Sequence, residues 1–205
     1  TQRASRHTAV LERMFGLGKD DVTIHQMRMG GSFGRRTSNE FVCEAVAISK
    51  RMQAPVKLTW TREDSMHHDF FRSGGFQSVK AAVDTAGRLV AFEDHFMGVE
   101  IDGTPASGSR IAATEFPAQN IDNAHITKTM FDIDTPCGPW RAPGSNTTAF
   151  VIQSFLDEVA QAAGRDYKDF LLEILGERRW FEPGNIRSLN TGRAADVIRL
   201  VAEKS

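Results

Sequence analysis

Two short stretches of the sequence combine chemically active side chains with unusual backbone freedom. The first is Gly30-Gly31-Ser32-Phe33-Gly34-Arg35-Arg36. Its glycines allow backbone angles, and a closeness of ligand approach, that side chains would block. A turn of unpaired backbone N–H groups leading into a helix favours negative charge, through the amides and through the helix dipole. Arg35 and Arg36 add positive charge beside it. A plainer description, a tight turn with two solvated arginines, fits the same residues. The stretch lacks G-x-G-x-x-G, and no Gly-Lys-Ser/Thr follows, so it is neither a dinucleotide fingerprint nor a phosphate-binding P-loop. It does satisfy G-x-S-x-G, the pattern of a hydrolase nucleophile elbow when a strand precedes and a helix follows. Ser32 would then be the nucleophile. A triad needs a downstream acid and histidine, for which Asp94 and His125 stand in a suitable order with nothing around them to recommend them.

The second stretch is Pro136-Cys137-Gly138-Pro139-Trp140-Arg141-Ala142-Pro143-Gly144. Prolines and glycines restrict the backbone on both sides of a Trp-Arg pair, so Arg141 could present a rigid, planar donor fork to a ligand. Equally, Arg141 could close a structural turn by pairing with a carboxylate. His67-His68-Asp69 is the one sequence cluster resembling metal ligands. On an extended segment its neighbours point to opposite faces, and no second cluster supplies the remaining ligands, so no metal site is expected. His7, His25 and His95 are isolated. Cys43 and Cys137 lack C-x-x-C spacing and read as free thiols.

The elements that must position these residues follow from local patterns. Residues 3–15 read as a helix closed by Gly16. Residues 22–29 read as a strand entering the glycine turn, and a helix follows at once, with Thr37 and Glu40 in capping-box spacing and Phe41, Ala45, Ile48 and Met52 on one face. It ends at Pro55. Val56, Leu58 and Trp60 alternate with polar residues as in a half-buried strand. Strands at 76–83 and 88–97 flank Asp84-Thr85-Ala86-Gly87, a hairpin turn in which Gly87 supplies a positive φ. Residues 98–146 read as long ordered loops with one strand near 124–131. Helices are expected at 147–163, from an Asp166 cap through Leu175, and at 193–203. The sum is an α/β chain, a mixed sheet packed against several helices. Residues 1–100 form a glycine-loop α/β part, 101–146 long loops and 147–205 a helical part.

The chain has 205 residues, with 25 Lys and Arg against 26 Asp and Glu. That balance supplies no field for nucleic acid or an anionic membrane, and no nucleic-acid partner is expected. No apolar run approaches the roughly 18 residues of a membrane span, and the opening residues lack the apolar core of a signal peptide.

Taken in order, Thr1-Gln2, residues 29–36, 55–64, 68–72 and 138–169, including Ser154-Phe155-Leu156-Asp157-Glu158, resemble the xanthine dehydrogenase and aldehyde oxidase family of molybdenum hydroxylases. The likeness is strongest to the isoquinoline 1-oxidoreductase beta-subunit branch, which includes membrane-bound aldehyde dehydrogenases. It spans almost the whole chain, and the separation of Gln2 from Phe33 is similar to the family's own. The resemblance implies that Gln2 hydrogen-bonds the oxo ligand of the metal and that Arg141 lies near the substrate. It also implies that Gly31, Ser32, Phe33, Gly34 and Arg35 contact a molybdenum-molybdopterin cytosine dinucleotide. The implied reaction is hydroxylation of an aldehyde or N-heterocycle with oxygen from water. Electrons would leave through iron-sulfur clusters on a small partner subunit, with a cytochrome subunit as a further partner and a periplasmic or membrane-associated location. Ser32 replaces a usual glycine, keeping the amide and adding a hydroxyl. Thr37 stands where xanthine-oxidising members carry a substrate-binding glutamate, which disfavours purine hydroxylation. The family's essential glutamate base lies near the end of a much longer subunit, and Gly176-Glu177, followed by Arg178-Arg179-Trp180, does not match its context. The chain is therefore expected to be an internal fragment, inactive alone. A serine hydrolase built on Ser32 and a non-catalytic binding module of the same fold are the competing readings.

Overall fold

The computed structural model describes residues 3–205, so Gln2 lies outside the described residues. The residues gather into two compact units, the first made of residues up to Ser73 with 100–109 and 132–146, the second of 74–99, 110–131 and 147–205.

The first unit contains three helices. α1 (Ser5–Phe15) buries His7 and Leu11 and stops where Gly16, at φ 70°, turns left-handed and returns its N–H to the carbonyl of Glu12. α2 (Glu40–Met52) begins later than the sequence pattern predicts. Thr37 does not form a capping box, because its hydroxyl donates back to the carbonyl of Gly34 at 2.6 Å. A single 3₁₀ turn (Arg35–Thr37) intervenes, and Asn39 precedes α2 without a side-chain cap. The expected apolar face of α2 is only partly covered, with Met52 63% exposed.

α3 (Arg62–His68) was not expected. Thr61 accepts the Asp64 N–H while Asp64 accepts the Thr61 N–H, and this reciprocal cap starts a helix on which His67 and His68 lie. The extended reading of those histidines is thus corrected. The strands expected at 22–29 and 56–61 are also corrected: neither segment joins a ladder among the described residues. Alternation marks an extended chain with two unlike faces, but a strand exists only where a neighbouring backbone takes its N–H and C=O groups.

The second unit is built on a sheet. β1 (Phe76–Val83) and β2 (Leu89–Ile101) pair antiparallel from Phe76 opposite Met97 to Val83 opposite Leu89, and Gly87 at φ 74° turns the hairpin as expected. β4 (Asn123–Asp132) also pairs with β2. In the first unit, Glu100 and Ile101 pair antiparallel with the short β3 (Thr104–Pro105). Burial along β2 follows the period of two, placing Phe92, Asp94 and Phe96 on the covered face.

α4 (Asn146–Ala162) presents Ile152, Leu156 and Ala160, four residues apart, to Leu89 and to Phe170, Leu171 and Ile174 of α5 (Tyr167–Leu175). Full burial of one such leucine contributes about 1.5–3 kcal/mol. Gly164 at φ 66° ends α4, and Asp166 caps α5 by accepting the Asp169 N–H. Asn190 caps α6 (Thr191–Lys204) in the same way through the Arg193 N–H. The α/β class read from the sequence is the class observed.

Candidate functional site

Within the first unit, the two stretches singled out in the sequence meet. Phe33 at φ 48° and Gly34 at φ 92° make a left-handed turn, tied by the Arg35 N–H to the Ser32 carbonyl at 2.9 Å. In the second stretch Arg141 at φ 26° and Ala142 at φ 48° also have positive φ. The Arg141 N–H donates to the Phe33 carbonyl at 2.6 Å, and the Arg141 guanidinium sits 4.8 Å from the centre of the Phe33 ring. A Cβ on Gly34 would lie 3.2 Å from three backbone atoms, Arg141 N, Pro139 O and Trp140 Cα. Glycine there serves both its positive φ and this close approach.

The turn leaves donors free. Among the described residues, no acceptor takes the backbone N–H groups of Gly31, Ser32, Phe33 or Gly34. Among the described residues, no carboxylate lies in ion-pair reach of Arg141, and none pairs with it to close a structural turn. Amides without acceptors beside a guanidinium held only against an aromatic ring form a donor set suited to an anionic or carbonyl-bearing group. At Gly30 a Cβ would meet nothing within 4 Å, so that side of the turn is open.

Arg35 is paired. Its guanidinium is held by the carboxylates of Glu40 and Asp69 and lies 4.9 Å from the centre of the Phe70 ring. Burial opposes its charge, but the two carboxylates outweigh that effect and hold its pKa above the ordinary value. Arg36 lies over the Phe41 ring at 5.3 Å.

The nucleophile-elbow reading of Ser32 is not supported. The left-handed residues are Phe33 and Gly34, no histidine meets the Ser32 hydroxyl among the described residues, and α2 starts only at Glu40. Asp94 is fully buried and accepts the Gln77 side-chain amide at 2.7 Å, while His125 is exposed on β4 and its side chain has no hydrogen-bond partner among the described residues. Among the described residues, no group of three His, Cys, Asp or Glu side chains could hold a metal ion.

Sequence reasoning passed over Arg72, whose guanidinium donates to the carbonyls of Trp140, Arg141 at 3.0 Å and Ala142 at 3.2 Å. Its position within a stretch of family likeness was the only signal, since a lone arginine carries no local pattern.

Comparison with known proteins identifies the family and the fold. The family model for the molybdopterin cofactor-binding domain matches residues 1–172. The membrane-bound aldehyde dehydrogenase (pyrroloquinoline-quinone) of Gluconacetobacter polyoxogenes is 28% identical over 95% of this chain and 27% of its own length. Isoquinoline 1-oxidoreductase subunit beta of Brevundimonas diminuta is 27% identical over 94% of this chain and 24% of its own. The chain therefore spans about a quarter of these relatives. The fold resembles the aldehyde oxidoreductase of Desulfovibrio gigas, with a TM-score of 0.69 at 19% identity over 98% of this chain and 22% of that one. Quinoline 2-oxidoreductase of Pseudomonas putida 86 gives 0.72 at 14% identity, covering 98% and 27%.

Proposed function

We propose, from the premise that this chain belongs to the molybdopterin cofactor-binding domain family, that it is part of the molybdenum-binding subunit of an oxidoreductase hydroxylating an aldehyde or N-heterocycle with oxygen from water. The carrying observation is the meeting of four amides that have no acceptor, among the described residues, with an arginine that has no carboxylate partner among them.

The donor chemistry fits the anionic edge of the cofactor, which when bound supplies a redox-active metal. The N–H groups of Gly31, Ser32, Phe33 and Gly34 would hold that edge, and the Ser32 hydroxyl would add a donor. Arg35 serves from behind, anchoring the turn through Glu40 and Asp69. Arg141 orients the carbonyl oxygen or ring nitrogen of the substrate and stabilises charge that develops there, with the Phe33 ring setting the plane of its fork. By the family resemblance Gln2, which lies outside the described residues, would offer its side-chain amide as a donor to the bound cofactor. The general base is supplied from outside this chain, which is inactive alone. The cofactor is the cytosine dinucleotide form, electrons pass to a small iron-sulfur subunit and on to a cytochrome subunit, and the complex is periplasmic or membrane-associated. The relative named as membrane-bound supports that location, although no helix among the described residues is long and apolar enough to cross a membrane.

The test is Arg141→Lys in the full-length enzyme containing this chain. A lysine keeps the charge but not the bidentate fork, so kcat/KM is expected to fall by about tenfold or more while molybdenum content and Tm hold. Unchanged kinetics with a lowered Tm would remove Arg141 from the active site.

A further inference from the structure

We propose that Arg72 is a positioning residue for Arg141, and that the five residues 69–73 form a splint setting the Arg141 loop against the glycine turn. The proposal rests on the reading of Arg141 given above and adds what holds it in place.

Each residue of the splint makes a separate tie. Asp69 receives the guanidinium of Arg35, at the start of the short helix after the glycine turn. Phe70 lies against the same guanidinium and also covers Gly138, where a Cβ would come within 2.6 Å of the ring. Phe71 pairs in parallel with Cys137, its N–H going to the Pro136 carbonyl at 2.9 Å and its carbonyl receiving the Gly138 N–H at 3.1 Å. Arg72 donates to the carbonyls of Trp140, Arg141 and Ala142. Ser73 is buried and donates to the Ser107 carbonyl at 2.8 Å.

The contacts of Arg72 address a specific physical problem. Three consecutive carbonyls reach one guanidinium, an arrangement that an ordinary extended segment, with alternating carbonyls, does not offer. The positive φ angles of Arg141 and Ala142 make it possible. Non-glycine residues held there are strained, on the order of 1–3 kcal/mol each, and persist only where surrounding contacts over-determine them. Arg72 supplies such contacts with charge-assisted donors in a fixed planar fork. Without it, the loop is free to relax to negative φ, and Arg141 leaves both the Phe33 carbonyl and the Phe33 ring. Arg72 thus acts on the reaction through Arg141, while Asp69 and Phe71 keep the two stretches in register.

Arg72→Ala, Arg72→Lys, Arg141→Ala and the Arg72→Ala/Arg141→Ala double variant are made in the full-length molybdenum enzyme. Hydrogen exchange is followed on peptides covering 138–146, beside molybdenum content, Tm and kcat/KM. In Arg72→Ala, exchange at the Arg141 amide is expected to rise at least about tenfold, and kcat/KM to fall by about tenfold with molybdenum retained, an energy near 1.4 kcal/mol. Arg72→Lys, which keeps charge without the fork, should recover only part of either and covers the case in which alanine prevents folding. The double variant should be no slower than Arg141→Ala alone, since removing the positioner matters only while its client is present. Unchanged exchange at 140–142 in both single Arg72 variants, or losses that add in the double variant, would overturn the proposal. Faster exchange with unchanged kcat/KM would instead overturn the assignment of Arg141 to the substrate, and with it the role of Arg72 in the reaction, while leaving the splint as a structural tie.

Discussion

Arg141 is joined to Phe33 twice, by its backbone N–H at 2.6 Å from the Phe33 carbonyl and by its guanidinium at 4.8 Å from the ring centre. The backbone bond locates the loop, and the ring orients the charge. Phe33 is 57% exposed, so its contribution to burial is small and its value lies in this orientation.

Phe33→Leu separates the two ties, because leucine keeps an apolar side chain and the backbone carbonyl while removing the ring quadrupole. A cation–π contact at an exposed site is worth about 0.5–1 kcal/mol. In the full-length enzyme, kcat/KM should fall roughly two- to fivefold, with Tm little changed and molybdenum retained. A loss equal to that of Arg141→Ala would mean that the ring, not the guanidinium, meets the substrate.

Gly34 and Gly30 make a matched pair for testing the turn. Gly34→Ala places a Cβ at φ 92° and 3.2 Å from backbone atoms that cannot rotate away, so a loss of about 1–3 kcal/mol is expected in thermal or denaturant unfolding. Gly30→Ala meets nothing within 4 Å and needs no positive φ, so Tm should hold. If the open side of the turn receives the cofactor, Gly30→Ala should nevertheless lower molybdenum content. A Tm loss at Gly30 equal to that at Gly34 would refute this division of roles.

Asp94 predicts an inverted pH dependence for the second unit. It is fully buried on β2, and burial pushes its pKa up against the hydrogen bond from Gln77 and the nearby His95. Burial raises Glu115 as well, with Asp94 adding to the effect. A carboxyl whose folded pKa is raised contributes stability in full below its unfolded value, near 3.9, and loses that contribution as pH rises through the folded value. Among the described residues, Asp94 Oδ1 and Gln77 Oε1 both lack hydrogen-bond partners. Asp94→Asn supplies an N–H for the Gln77 oxygen and removes the charge. Stability should therefore rise at about pH 7 relative to wild type, with little gain at about pH 4. Urea unfolding followed by a probe in this unit checks the sign, and an equal or larger gain in acid would show that charge at Asp94 is not the cause.

The sequence by itself determined the elements whose cause is local. Gly16, Gly87 and Gly164 stop or turn the chain because they take positive φ without strain, and Asp166 caps because its carboxylate reaches an N–H three residues on. It also singled out the glycine turn and the Arg141 loop, each by composition, and the resemblance that assigned them to one cofactor family. Tertiary structure decided what no local pattern contains. It brought Arg141 to Phe33, turned Arg35 toward Glu40 and Asp69, and set Arg72 beneath three carbonyls. It left the extended segments at 22–29 and 56–61 outside any ladder among the described residues. The reason is that a cap or a turn is satisfied within a few residues, whereas a guanidinium, a strand edge or a strained loop takes its partner from wherever the fold brings one.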